Sequence, residues 1–110
     1  MDSIYHIVSK AAWQAAQTAG RYEGDTLHTE GFIHCSKRDQ FMRVANARFQ
    51  GRTDLLLLEI NPELLKSELR VEESEPGNFY PHIYGALNLD AVIRAMPFEF
   101  KAHFIDPVIS

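Results

Sequence analysis

The spacing of apolar residues sorts this chain into short strands and two helices. Ile4 to Val8 is an apolar run holding one histidine, and it predicts a first strand. Ser9 offers an N-cap hydroxyl. Ala12, Trp13, Ala16 and Ala19 recur at helical spacing, so Lys10 to Thr18 predicts a helix with Trp13 as a core anchor and Gly20 as its stop. Arg21 to Asp25 reads as a loop. Leu27 to Cys35 reads as extended, either kinked at Gly31 or split there into two pieces. Ser36 to Asp39 predicts the start of a second helix, with Ser36 as cap and Asp39 near the positive end of its dipole. Phe41, Val44, Ala45 and Phe49 mark that helix's buried face, and Gly51 ends it. Asp54 to Ile60 contains four consecutive leucines, Leu55 to Leu58, and its length favours a buried central strand over a helix.

The second half is strand-rich. Asn61-Pro62 opens a short turn or helix through Leu65, and Leu69 to Glu72 predicts a strand. Glu73 to Asn78 reads as a flexible loop. His82 to Tyr84 predicts a short extended segment, Leu89 to Val92 a turn of helix, and Val92 to Phe100 a last strand. With little room for helices between the later strands, the order predicts an α+β fold with a mixed or antiparallel sheet and two main helices rather than a doubly wound one. One domain of 110 residues is expected, with its core at about residues 4–104 and a flexible tail at 105–110.

Composition narrows the function classes. The chain is 45% hydrophobic and 24% charged, with a net charge of -4 and no basic run. A nucleic-acid partner is not expected, because such binders present a basic face. The one cysteine permits no intrachain disulfide, so a reducing, cytoplasmic setting is expected. No apolar stretch approaches the ~18 residues that span a bilayer, and the N-terminal residues lack the layout of a signal peptide.

The chemistry-bearing positions are histidines set in apolar runs: His6 in Ile4 to Val8, His34 in Gly31 to Ser36, and His82 in Phe79 to Gly85. Strand alternation puts His6 on one face with Ile4 and Val8. It puts Phe32, His34 and Ser36 on one face, opposite Ile33 and Cys35. It groups Tyr80, His82 and Tyr84 on a third. If the three faces converge, they form an aromatic cleft with imidazoles and a hydroxyl, suited to a flat polar ligand. His34 and His82 are the catalytic candidates. Glu72 is favoured over Glu73 and Glu75 as a base or ribose-hydroxyl acceptor, and Arg70, alternating with it, suits a phosphate or a neighbouring carboxylate. Cys35 reads as an inert small hydrophobe. Three histidines can also hold zinc, but the spacings H-x-x-x-H and H-E-x-x-H are absent, so no metal is expected. Standard dinucleotide, P-loop and hydrolase motifs are absent too.

Several segments resemble the small bacterial family known as domain of unknown function 952. They are Tyr5-His6-Ile7, Trp13 with Gly20, Gly31-Phe32-Ile33-His34-Cys35-Ser36, Gln40, Leu57 to Ile60, Leu69 to Glu72, and Phe79-Tyr80-Pro81-His82-Ile83-Tyr84-Gly85. That family is remotely similar to the ADP-ribosyltransferase-like superfamily. The resemblance implies a split-sheet α+β fold whose cleft accepts NAD as a substrate. It further implies His6 on a ribose hydroxyl, Phe32 or Tyr84 stacked on nicotinamide, and His34 or His82 near phosphate or ribose. Related transferases carry a catalytic glutamate on a late strand, for which Glu99 is the candidate. The expectations are therefore an NAD or ADP-ribose transferase or hydrolase first, a non-catalytic binding domain second, and a histidine-ligated metal hydrolase third. The binding residues under the first are His6, Phe32, Ser36, Arg70 and Tyr84.

Overall fold

The computed structural model describes residues 1–98. Among these described residues eight strands and three helices follow one another: β1 (Ile4–Ser9), α1 (Lys10–Ala19), β2 (Arg21–Tyr22), α2 (Thr26–Glu30), β3 (Ile33–His34), α3 (Phe41–Arg48), β4 (Leu55–Ile60), β5 (Glu68–Glu75), β6 (Asn78–Tyr84), β7 (Leu87–Asn88) and β8 (Val92–Phe98). Single 3₁₀ turns, Pro62–Leu64 and Leu89–Ala91, precede β5 and β8. The fold is α+β, and every strand pair is antiparallel. Glu99, Phe100 and the expected tail at 105–110 lie outside the described residues.

One three-stranded sheet runs β1-β4-β8 and another β3-β6-β5, with the two-residue pair β2-β7 beside them. Period-2 alternation in β1 and β4 sends side chains to two separate cores. Ile4, Val8, Leu58 and Ile60 face Trp13 and Ala16 of α1, together with Ile33, Cys35 and Ile83 of the second sheet. Tyr5, Ile7, Leu55 and Leu57 face Phe41 and Ala45 of α3. The four leucines of β4 are therefore covered on both sides, which explains their unbroken apolar run.

The sheets meet at one point. Tyr5 and Ser36 exchange backbone hydrogen bonds at 2.7 Å in both directions, forming an isolated bridge. Alternation would make Ile7 and His34 the next rung. Instead the two strands diverge there, and the carbonyl of His34 receives the ring of His6 at 2.6 Å. The sheet is split at that place.

Four sequence expectations change. Arg21-Tyr22 is not loop but a short strand, paired with Leu87-Asn88 and invisible in sequence because two residues carry no period. The segment from Leu27 is not extended up to Gly31. Thr26–Glu30 is a single helical turn, and Gly31 at φ 91° ends it in the left-handed conformation that only glycine adopts freely. The second helix starts at Phe41 rather than at Ser36, because the backbone of Ser36 is spent on Tyr5. The side chain of Gln40 then turns the chain by accepting from Lys37 N at 2.9 Å and donating to Phe79 O at 2.7 Å. Finally, Glu73 to Asn78 is not a flexible loop. Strands β5 and β6 continue through it to a Pro76-Gly77 turn, with Gly77 at φ 79°, as a type II turn requires.

Ser9 caps α1 as its spacing predicts, its hydroxyl accepting from Ala12 N at 3.0 Å. Ser9→Ala is expected to cost about 1 kcal/mol in equilibrium urea unfolding, and an unchanged midpoint would show that the cap contributes nothing.

Candidate functional site

Strands β3, β6 and β5 turn one face inward and one outward. Ile33, Cys35, Ile83 and Leu69 point to the core. On the outer face the register sets His34 opposite His82, and His82 opposite Arg70. Alternation adds Glu72, Tyr84 and Tyr80 to the same face.

Phe32 organises the cluster. Its ring stacks on His82 at 4.1 Å and 19°, meets His34 edge-on at 4.8 Å, and tilts against Tyr84 at 5.2 Å. The rings of His34 and His82 are 5.3 Å apart. His82 is only 4% exposed. Its Nδ1 bonds Glu72 Oε1 at 2.8 Å, and the Tyr84 hydroxyl donates to the same oxygen at 2.5 Å. The bond from Tyr84, then that from His82, holds the Glu72 carboxyl below the usual carboxylate range, so it is ionised at neutral pH. The hydrogen bond to Glu72 in turn raises the Tyr84 phenol. The Arg70 guanidinium lies 4.2 Å from the centroid of the Tyr84 ring, and Glu68 holds it through two hydrogen bonds at 3.0 and 3.1 Å. His34 Nε2 bonds Glu30 Oε1 at 3.0 Å.

His6 stands apart from this group. Besides its bond to the His34 carbonyl, its Nε2 lies 2.8 Å from the Tyr22 hydroxyl. A carbonyl only accepts, so Nδ1 carries the proton and Nε2 accepts from Tyr22. Burial pushes the His6 imidazole down to about 4 and the Tyr22 phenol up to about 12, so both are neutral and both are committed. His6 thus spans the split between the sheets, and its ring nitrogens have no free valence for a ligand in this arrangement. Ser36 is buried, with its backbone in the bridge to Tyr5. Cys35 is buried too, and its thiol is pushed up by desolvation.

A groove of about 550 Å³ borders the cluster, within the size range of small-molecule sites. His34, Ser36, Ser74 and Tyr80 reach it from the cluster's edge, His6 and Tyr22 from one wall, and Arg48 at the end of α3 with Phe49 just after it from the other. A larger concavity of about 700 Å³ lies between Met1–Ile4 and Lys37–Met42, but it is lined by no histidine. Of the two, only the groove is lined by histidines, His6 and His34. Among the described residues no group of three or more His, Cys, Asp or Glu side chains is arranged to hold a metal ion. None of their helices is long and apolar enough to cross a membrane.

Of the residues expected from sequence, the structure therefore brings together Phe32, His34, Glu72, His82 and Tyr84, with Arg70 at their edge. His6 and Ser36 sit at the split beside them. Ser74, whose hydroxyl is 3.3 Å from His82 Nε2, escaped the sequence reading. It lies in the polar run Glu73-Ser74-Glu75, which has no apolar partner to reveal a strand.

Comparison with solved structures returns close likenesses. The crystal structure of protein CC0527 from Caulobacter crescentus is 36% identical and superimposes with a TM-score of 0.86, covering 96% of this chain and 92% of that one. The solution structure of the same protein is 37% identical, with a TM-score of 0.80 over 93% of this chain and 89% of that one. No curated protein matches the sequence. The profile of the family described as "Protein of unknown function (DUF952)" matches residues 7–95, so the chain belongs to the DUF952 family.

Proposed function

We propose that the protein binds a ribose-bearing nucleotide of the NAD or ADP-ribose class at this cluster and transfers or hydrolyses its ribosyl group. The observation that carries the reading is Glu72, an ionised carboxylate held by Tyr84 and His82 on an aromatic face. A carboxylate so held accepts hydrogen bonds from ribose hydroxyls. It also opposes the positive charge that develops at an anomeric carbon when a glycosidic bond breaks. The half-buried ring of Phe32 and the ring of Tyr84 offer faces for a flat base such as nicotinamide. His34, at the groove, is available for proton transfer once a ligand displaces Glu30.

The donor set fits such a ligand in its ribose and base parts. A phosphate has to compete with Glu68 for Arg70, and it does so at little cost because that pair is exposed. On this reading the split sheet is of the ADP-ribosyltransferase-like kind, Glu72 takes the part for which the resemblance made Glu99 the candidate, and NAD is a substrate rather than a resident cofactor. No nucleic acid, membrane or metal enters the reading, and the setting is cytoplasmic.

Titration calorimetry with ADP-ribose and NAD tests it. The expected result is saturable binding that Glu72→Gln weakens at least about tenfold, the worth of a hydrogen bond to a charged group, with the fold retained by circular dichroism. No heat at millimolar ligand would sink the proposal. Binding without release of nicotinamide from NAD would reduce the protein to a binding module.

A further inference from the structure

Strand β5 carries one more polar side chain on the cluster's face, and the nucleotide reading does not use it. Ser74 Oγ lies 3.3 Å from His82 Nε2, while His82 Nδ1 lies 2.8 Å from Glu72 Oε1. An ionised carboxylate only accepts, so Nδ1 carries the proton and Nε2 turns its lone pair to the serine hydroxyl. This is the tautomer that a general base beside a nucleophile requires. The base is also fixed in place: it is buried, stacked by Phe32 at 4.1 Å, and anchored to a carboxylate that Tyr84 also holds.

The backbone adds an independent observation. The β5-β6 register shifts between Glu73 and Glu75, and Ser74 has no partner in the ladder. A bulge of this kind re-aims a side chain and is over-represented beside active sites. Here it leaves Ser74 exposed and on the wall of the groove, next to His34 and Tyr80.

We propose that Ser74, His82 and Glu72 act as a serine nucleophile, its general base and the carboxylate that positions the base, cleaving a small carboxylic ester lodged in the groove. The Ser74 oxygen bonds to the ester carbonyl carbon while its proton passes to His82 Nε2. The carbon–alkoxide bond then breaks, and the departing alcohol takes that proton. Water attacks the resulting acyl-serine and gives a proton to His82 Nε2; the acyl–oxygen bond breaks, the Ser74 oxygen takes that proton back, and the carboxylic acid is released. Every atom and proton is supplied by ester and water. The step needs only these three side chains, so it stands or falls apart from the nucleotide reading.

The test is covalent labelling of the full chain with a fluorophosphonate probe, in which Ser74 displaces fluoride from phosphorus, followed by intact mass measurement and peptide mapping. One adduct is expected, on Ser74, and it is lost in Ser74→Ala. Mapping on the unaltered sequence keeps the result independent of any variant's folding. Glu72→Gln is expected to slow labelling about 10²–10⁴-fold, and Glu72→Asp to restore part of the rate. An adduct on Ser36 or any other residue, labelling that persists in Ser74→Ala, or no adduct at excess probe overturns the proposal. Equal rates for the two Glu72 variants overturn the positioning role of that carboxylate.

Discussion

Lowering the pH from 7 to 5 destabilises the protein by about 2 kcal/mol through His6 alone. Its imidazole titrates at about 4 in the fold, against an ordinary value of 6.5. The cause is burial at the split, which penalises the charged ring. Between these two values the unfolded chain binds the proton and the folded one does not, so stability falls as pH falls. The contribution is complete above 6.5, declines through the window, and levels off below 4. The whole shift corresponds to about 3 kcal/mol. Glu72 and the other carboxylates whose values are lowered hold their charge in the fold more firmly than ordinary carboxylates, and comparing urea unfolding at pH 7 and pH 5 between the protein and His6→Gln isolates the His6 contribution. His6→Gln is expected to lower stability at pH 7, because it disturbs the bonds to the His34 carbonyl and the Tyr22 hydroxyl. It is also expected to remove about 2 kcal/mol of the difference between the two pH values. Equal pH dependence in both proteins would show that His6 is solvated and free.

Leu58→Ala is expected to cost about 2–5 kcal/mol, and Leu64→Ala less than about 0.5 kcal/mol. Leu58 is 0% exposed, at the centre of the middle strand, between His6 on β1 and Ala95 on β8. It packs in the core that joins α1 to both sheets. Removing its branched end leaves a cavity that β4, hydrogen-bonded on both edges, cannot collapse to fill. Leu64 is 53% exposed in a surface turn. Total stability of a domain this size is about 5–15 kcal/mol, so the first variant moves a large share of it. Paired urea titrations of the two variants decide the matter, and similar losses would contradict the assignment of the core.

Much of this was legible in the sequence wherever a period was long enough to read. The alternation of Ile4 to Val8, the helical spacing from Ala12 to Ala19 and the leucine run of β4 each fixed an element within a residue or two. Two-residue strands and a single helical turn were not legible, because Arg21-Tyr22 and Thr26–Glu30 each carry one apolar residue and no repeat. The outer half of the β5-β6 hairpin was hidden for another reason. Its residues are polar on both faces, since that end of the hairpin stands in solvent.

The same contrast governs the site. Phe32, His34, His82 and Tyr84 follow from strand parity alone, because β3 and β6 are neighbours and side chains alternate. Glu72 follows from its place on the adjoining strand. The position of His6 does not follow, since its face is decided by where two sheets part, a matter of long-range pairing that one segment cannot report. Ser74 does not follow either, because it lies in the polar stretch after Glu72 that reads as loop, where parity has no strand to act on.

On the proposed function, the face built from Phe32, His34, Glu72, His82 and Tyr84 is where this protein meets its ligand. The most direct measurement is a two-dimensional nitrogen–proton NMR titration with ADP-ribose. Saturable shifts concentrated in β3, β5 and β6 around these five residues are the predicted result. Shifts confined to the concavity between Met1–Ile4 and Lys37–Met42, or none at millimolar ligand, would contradict it.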